Sequence, residues 1–496
     1  MAEKKATSAP QAAVETAETS DFGALLQKKI RPKTDRAAEE IENAVQTLAE
    51  YALQDTDLIS EDAVASIEAI IAKIDQKLTE QVNLVIHHPD FQALESAWRG
   101  LHYMVNNTET DETLKIKVMN ISKKELHKTL RSFKGVKWDQ SPIFKQMYEA
   151  EYGTFGGEPF GCVVGDYYFD HKATDVELLT EMARISAAMH APFLAAANPS
   201  VMEMDSWAEL QDPRDLTKKF QGPAHAAWRT LRDSEDSRYI GLTMPRFLSR
   251  QPYGAKTDPV EEFDFEEDTE GADSSKYAWS NSAYAMATNI NRAFKTWGWC
   301  SRIRGIESGG EVYDLPTHTF PTEDGGVDMK CPTEIAITDR REAELSKNGF
   351  LPLLHKKNSD FAAFIGGQSL QKPIEYDDDY ATKNANLAAR LPYLFASCRF
   401  AHYLKCIVRD KIGSFKERKD VETWLNNWIM QYVDGDPDNS TDATKARKPL
   451  AAAEVVVEED ETNPGYYRSR FYLRPHYQLE GMTVALSLVS QLPSAR

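Results

Sequence analysis

Three groups of residues in this chain carry side chains that could do chemistry. The first is the glycine-rich run Glu151–Gly161 (EYGTFGGEPFG). A phosphate cradle of the P-loop kind needs a Lys and a Ser/Thr where the loop enters a helix, so that ammonium and hydroxyl meet the phosphates and Mg²⁺. Here the run leads into a strand-like stretch and carries Glu158. A dinucleotide fingerprint needs strand before glycines and helix after, the reverse of this order. The glycines are better read as room for tight turns beside Phe155 and Phe160. The second group is Cys398, His402 and Cys406, spaced i, i+4, i+8 on one helical face. Eight residues at about 1.5 Å rise put the two cysteines about 12 Å apart along the axis, whereas a Zn–S bond is about 2.3 Å. All three cannot share one ion. Two of them could bind with ligands from elsewhere, but a packed helix face is the plainer reading. The third group is His87-His88, neighbours that point to different sides. No HExxH, GxSxG or EF-hand pattern occurs, and a carboxylate pair brought together across the fold is invisible in sequence. No catalytic, cofactor or metal site is therefore expected. Arg390, Arg399, Lys405 and Arg409 also lie on the long helix, where they could face an acidic surface or pair with the chain's own carboxylates.

Composition narrows the classes. The 496 residues hold 77 acidic against 58 basic side chains, a net charge of −19. That favours solubility and argues against a nucleic-acid partner. Length suggests two to four domains. Cys162, Cys300, Cys331, Cys398 and Cys406 are odd in number and show no CxxC, as in a reduced cytoplasmic protein. The N-terminus has no apolar signal core. The richest apolar stretch, residues 185–197, is short and broken by His190 and Pro192, so no membrane insertion is expected.

The elements follow from periodicity. Residues 1–34 read as a flexible arm. Ile41, Val45 and Leu48, then Val64, Ile67, Ile71, Ile74 and Leu78, recur at 3 and 4, two helices with a narrow apolar seam suited to one or two partner helices. Residues 87–105 give a third, with Phe91, Leu94, Trp98, Leu101 and Met104 on one stripe. Leu114, Ile116 and Val118 alternate with Lys115 and Lys117, which predicts a half-buried strand. Helices are expected near 123–133 and 141–152. Residues 162–197 then read strand, helix, strand, a βαβ unit with a parallel pair, and 238–244 adds a strand. Residues 258–270 hold eight acidic side chains and no basic one, a solvated or partner-facing loop. Residues 279–297 are helical, 311–315 and 361–365 are strands, and 381–411 is the longest helical pattern, broken or kinked at Pro392. A helix at 421–433 and a polar loop at 434–448 precede the terminal strands. The fold class is mixed α/β.

The C-terminal stretch pairs the β-branched run Val455, Val456 and Val457 with the alternating run 466–474, which holds Tyr467, Phe471 and Leu473. Thr462-Asn463-Pro464-Gly465 is turn chemistry between them, and a third extended segment follows. Short strands at the end of a chain are poor material for an active site and good material for pairing with another chain.

Long stretches of unusual composition resemble the large subunit of the contractile sheath of bacterial type VI secretion systems, the TssC/VipB family. They are AEYGTFGGEPFG (150–161), ANPS (197–200), PRFLSRQPYG (245–254), FDFEED (263–268) and GWCSRIRGIESGGEVYDLP (298–316). They continue with PTEIAITDRREAELSKNGFLPL (332–353), ANLAARLPYLFASCRFAHYLKCIVRDKIGSF (385–415) and YLRPHYQLEGM (472–482). The resemblance implies a phage-tail-sheath-like α/β core and a structural role. It implies pairing with a small sheath subunit and polymerisation with other protomers in the cytoplasm around an inner tube of stacked hexameric rings. A baseplate and an AAA+ disassembly ATPase are further implied partners, and strands exchanged between subunits link the protomers. The division expected on this basis is an arm at 1–34, a docking region at 35–110, sheath domains at 111–260 and 261–448, and the inter-protomer strands at 449–496. The seam residues are the candidates for the small subunit. Val455, Val456, Val457, Tyr467, Phe471 and Leu473 are the candidates for the shared sheet. A non-polymerising cytosolic scaffold and an oligomeric enzyme are the alternatives.

Overall fold

Phe193–Ala197 and Ile240–Met244 are buried at every position. Strands buried on both faces belong in the middle of a parallel sheet covered by helices. The computed structural model has that arrangement; it describes Asn43 and residues 63–211, 215–269, 271, 273–322, 324–411, 417–459 and 467–478. The arm at 1–34, the seam residues Ile41, Val45 and Leu48, the 462–465 turn and the third C-terminal segment lie outside these residues.

The strands are β1 (Val163–Phe169), β2 (Phe193–Ala197), β3 (Ile240–Met244), β4 (Phe247–Leu248), β5 (Trp279–Ser280), β6 (Glu311–Val312), β7 (His318–Pro321), β8 (Val327–Lys330), β9 (Phe350–His355), β10 (Ala362–Phe364), β11 (Leu450–Glu459) and β12 (Tyr467–Pro475). The helices used below are α1 (Ala63–Ile86), α2 (Pro89–Asn106), α3 (Ala173–Met189), α4 (Ser282–Trp297), α5 (Leu391–Asp410) and α6 (Arg418–Ile429). The main sheet runs β1-β2-β3-β9-β10-β6. Its first four strands are parallel, and β10 and β6 close it antiparallel.

The period-2 rule sorts the side chains into two layers. Phe193, Ala195 and Ala197 of β2, with Ile240, Leu242 and Met244 of β3, pack among Leu178, Leu179 and Met182 of α3. Leu194, between them in sequence, joins the opposite layer with Met286 and Ile290 of α4 and Leu391 and Leu394 of α5. Gly241 sits in that second layer because a Cβ there would meet Leu194 Cδ2 at 2.6 Å. β1-α3-β2 is the expected parallel βαβ unit. α4 starts at Asn281, whose side chain accepts from the Ala283 amide, and ends at Gly298 with φ 80°, a left-handed cap that glycine adopts without a Cβ penalty. The long helical pattern divides as Pro392 requires. One helix covers Asp379–Ala388, and α5 restarts with the proline in its first turn, where its missing N–H costs nothing.

The chain divides into two compact units, residues 1–91 with 252–270, and 92–251 with 271–496. In the first, the acidic run is solvated as expected at Asp258, Glu261, Glu262, Asp264, Glu266 and Asp268, which are exposed, but its backbone is tied down. Asn83 of α1 donates to the Glu266 carbonyl at 3.0 Å and accepts from the Asp268 amide at 2.8 Å. Glu267 is buried and accepts from the Tyr253 amide at 2.8 Å, and Phe265 is buried as well. In the second, Glu95 accepts from Arg250 Nε at 2.6 Å and from Arg99 Nε at 2.7 Å. Burial opposes the charge on Glu95, but the two guanidiniums outweigh it and hold the carboxyl below its usual range.

Two further expectations are corrected. Residues 115–122 form no strand. Leu114 and Ile116 are half-buried and Lys115 and Lys117 exposed, as the alternation predicts, but Val118 is 70 % exposed. The segment is tied by side chains: Lys115 pairs with Glu158, and Lys117 with Glu151 at 2.6 Å. The polar stretch before the terminal strands contains a helix, Asp442–Arg447, because Thr441 caps the Thr444 amide.

Candidate assembly surface

The residues singled out for chemistry are structural. Gly157 fits only because it lacks a side chain, since a Cβ would lie 2.0 Å from the Glu151 carbonyl oxygen. The loop leads into β1, and Arg409 Nη1 donates to its Thr154 carbonyl at 2.8 Å. His402 Nε2 donates to the Met189 carbonyl at 2.8 Å, and burial pushes its imidazole down to about 4. Burial pushes the Cys398 thiol up to about 12. Both residues are packed into the protein rather than converging with Cys406 on an ion. His87 faces Glu267 at 3.5 Å, and His88 lies beside Asp90 at 3.8 Å. The cations of α5 meet rings of their own chain instead of an acidic surface. Lys405 Nζ sits 3.6 Å from the Tyr152 ring centre, and Arg399 lies over Tyr403 at 4.7 Å, a cation–π arrangement.

The C-terminal strands are built as a separate layer. β11 and β12 pair antiparallel from Glu459↔Tyr467 to Ala452↔Arg474, with Leu450 opposite Pro475 beyond a register shift. The 467–475 span matches the expected alternating run 466–474 to within one residue, and the 450–459 strand contains the expected run Val455, Val456 and Val457. Val455 and Val457 are fully buried, and Phe471 and Leu473 half-buried, against Phe400 and Leu404 of α5 and Leu425 and Ile429 of α6. Val456 lies on the other face with Glu454 and Glu458, and Glu458 pairs with Arg470 at 3.1 Å. Trp299 stacks on Phe400 with ring centres 4.3 Å apart and anchors this core to the strap after α4.

The two edges of this hairpin differ. Asn426 of α6 donates from Nδ2 to the Val455 carbonyl at 2.9 Å and accepts from the Val455 amide at 3.0 Å. Glu422 Oε2 accepts from the Val457 amide at 3.3 Å. Val455 and Val457 therefore direct their backbone groups away from β12, and side chains of α6 close that edge. By antiparallel alternation, Glu454, Val456 and Glu458 make the ladder bonds to Tyr472, Arg470 and Arg468. On β12 the outward-facing residues are then their neighbours Tyr467, Ser469, Phe471 and Leu473. Among the described residues nothing bonds their outward backbone groups. Three of these four are the ones the sequence singled out. The capping by Asn426 carries no sequence signal, because it depends on how α6 crosses β11.

The helical seam is present in part. Val64 and Ile67 fall within α1. Ile71 is 46 % exposed, Leu78 43 % exposed, and Ile74 half-buried. Ile70, outside the expected seam, is buried. On α2, Met104 packs on Tyr284 and Ala287 of α4, while Leu94 and Trp98 are exposed, Trp98 by 65 %. No helix among the described residues is long and apolar enough to cross a membrane.

The α/β core and the helix-backed strand hairpin fall within two matched tail sheath domains. Residues 68–371 match the EvpB/VC_A0108 tail sheath N-terminal domain, and residues 380–492 match the tail sheath gpW/gp25-like domain. The chain belongs to this EvpB/VC_A0108 tail sheath family. It is 73 % identical over 496 residues to the type VI secretion system sheath protein TssC1 of Pseudomonas aeruginosa, covering 100 % of both chains. Two solved structures align more weakly. The baseplate of the anti-feeding prophage aligns at 12 % identity and TM-score 0.35, over 64 % of this chain and 66 % of that one. The contracted helical sheath of the anti-feeding prophage aligns at 13 % identity and TM-score 0.33, over 65 % of this chain and 68 % of that one.

Proposed function

We propose that this chain is the large structural subunit of a type VI secretion contractile sheath, without enzymatic activity of its own. In this reading the α1 seam bundles with helices of a small sheath subunit. The heterodimers polymerise in the cytoplasm around an inner tube of stacked hexameric rings, starting from a baseplate. Contraction propels the tube, and an AAA+ ATPase recycles the contracted sheath. The C-terminal strands, residues 449–496, form the joint between protomers. The observation that carries the reading is the outer edge of β12, which no described residue bonds, opposite a β11 edge closed by Asn426 and Glu422. An exposed strand edge is a template for a strand from another chain. A heterologous contact that does not close gives an open filament. Co-expression of the full chain with the small subunit, followed by negative-stain microscopy, tests it. Long hollow tubules are expected. A discrete heterodimer at every concentration would favour a non-polymerising scaffold instead.

A further inference from the structure

Away from these surfaces, three loops meet at the carboxyl ends of the first two parallel strands. His171 follows β1, Glu203 follows β2 through the short turn Pro199–Met202, and His225 opens the helix Ala226–Asp233. One ligand atom from each of the three lies within 4.8 Å of the other two. Loops at the carboxyl ends of parallel strands are where α/β folds place ligands.

The protons on both rings are fixed by the backbone. His171 Nδ1 lies 3.0 Å from the Ser200 carbonyl, and His225 Nε2 lies 2.8 Å from the Val201 carbonyl. A carbonyl only accepts, so each of these nitrogens carries its proton. The opposite nitrogens, His171 Nε2 and His225 Nδ1, are left with lone pairs. A metal-binding histidine has this arrangement, its second nitrogen donating to a carbonyl that fixes the tautomer and the ring orientation.

Two observations mark the point between these lone pairs as a place for a ligand. The His225 side chain is fully buried, yet its Nδ1 has no hydrogen-bond partner among the described residues. Such an atom is costly to bury unsatisfied. The nearest charge is the Glu203 carboxylate, whose Oε1 lies 3.9 Å from Nδ1, too far for a hydrogen bond. Glu203 itself has φ 54°, with its amide donating to Ser200. A left-handed conformation is uncommon for a non-glycine residue, and such conformations cluster at functional sites.

We propose that His171, Glu203 and His225 bind a single divalent cation of borderline softness, zinc in the first instance. Two imidazoles and a carboxylate suit zinc and leave a fourth position for water. Ligand bonds of about 2.0–2.2 Å require donors about 3.4 Å apart, so the site closes by about an ångström on binding. The parts that must move are free to do so. The Glu203 side chain is 52 % exposed, and the His171 ring, stacked on His225 with centres 4.2 Å apart, is half-buried. Tilting His171 out of the stack about its Nδ1 anchor brings its lone pair toward the ion. His225 stays fixed by the Val201 carbonyl and by Phe220, whose ring meets it edge-on at 5.3 Å. The site would pin the turn after β2 to the helix at 226–233 and stiffen that end of the sheet.

The test uses the chelator-stripped full-length chain and zinc chloride as the probe. Calorimetry should give one zinc per chain, and the melting temperature should rise with zinc. Cobalt substituted for zinc should show ligand-field bands without thiolate charge transfer, which separates this site from the five cysteines. Glu203→Gln and His171→Phe should each weaken zinc binding about tenfold or more. The zinc-free melting temperature should be unchanged in Glu203→Gln, whose side chain is exposed, and slightly lowered in His171→Phe, which keeps the stack on His225 but loses the bond to the Ser200 carbonyl. Absence of zinc uptake by the folded wild-type chain would overturn the proposal. So would equal uptake by both variants, or a cobalt spectrum dominated by thiolate.

Discussion

If β12 is the edge on which a neighbour's strand adds, a proline at Ser469 should stop assembly without harming the subunit. Ser469 sits opposite Val457, and the Val457 amide points away from β12 to Glu422. The Ser469 amide therefore also points out of the hairpin. A proline there removes no ladder bond to β11, and edge strands with the N–H side facing outward tolerate it. An incoming strand loses that donor and meets the ring. One backbone bond is worth about 1 kcal/mol net. Displacing the bonds on either side as well brings the loss to about 3 kcal/mol per joint, roughly a hundredfold in the association constant. The loss recurs at every protomer of the lattice. Arg470→Pro is the control, because Arg470 faces Val456 inside the ladder and its proline opens the hairpin itself.

Co-expression with the small subunit, thermal melting of the soluble heterodimer and negative-stain counting of tubules read the outcome. Ser469→Pro is expected to keep the heterodimer and its melting temperature and to lose the tubules. Arg470→Pro is expected to lower the melting temperature. Wild-type tubule yield from Ser469→Pro refutes the assignment of the open edge. A melting temperature as low as that of Arg470→Pro refutes the alternation from which the edge was deduced.

Ile71→Asp combined with Leu78→Asp should abolish co-purification of the small subunit, because each carboxylate in a buried seam costs about 3 kcal/mol or more. Both positions are nearly half exposed in this chain, so its own melting temperature should hold, and retained co-purification at normal yield counts against the seam. The buried His402 gives a pH dependence of stability. Its imidazole titrates near 6.5 when unfolded and near 4 when folded. Between those values only the unfolded chain gains the proton, so the contribution is complete above pH 6.5 and falls as pH drops toward 4. The whole shift is worth about 3 kcal/mol, and about 2 kcal/mol of it is lost by pH 5. His402→Gln, which keeps a donor for the Met189 carbonyl, should flatten the change in denaturation midpoint between pH 7 and pH 5. A residual slope remains from His190, which burial also shifts down. An unchanged slope in the variant would remove His402 as its source.

What the sequence made legible was local. The β1-α3-β2 unit is written in a change of period from 2 to 3.6 and back. The break before α5 is written in one proline, and the two C-terminal strands in β-branched and alternating runs. What it hid depended on side chains meeting across the fold. Leu114 to Val118 has a strand's alternation, but among the described residues it finds no strand to pair with and its lysines are tied to Glu151 and Glu158. The acidic run is solvated as its charges suggest, but nothing local shows Asn83 reaching its backbone. His171, Glu203 and His225 lie on three separate loops with no motif spacing, so only the fold could assemble them.

The asymmetry of the hairpin bears on how a contracting lattice could stay connected. If both edges were open, strands could add on either side, and register and direction of growth would be weakly specified. Asn426 and Glu422 remove one choice. They bond β11 to α6, whose Leu425 and Ile429 are buried beneath the same strand. The hairpin is thereby rooted in its own subunit on one side, and in the proposed sheath the β12 edge is the one left for a neighbour. A strand added there would be held by backbone bonds along its length. In the proposed sheath, such a joint resists separation while the subunit bodies beyond it rotate and exchange one set of contacts for another.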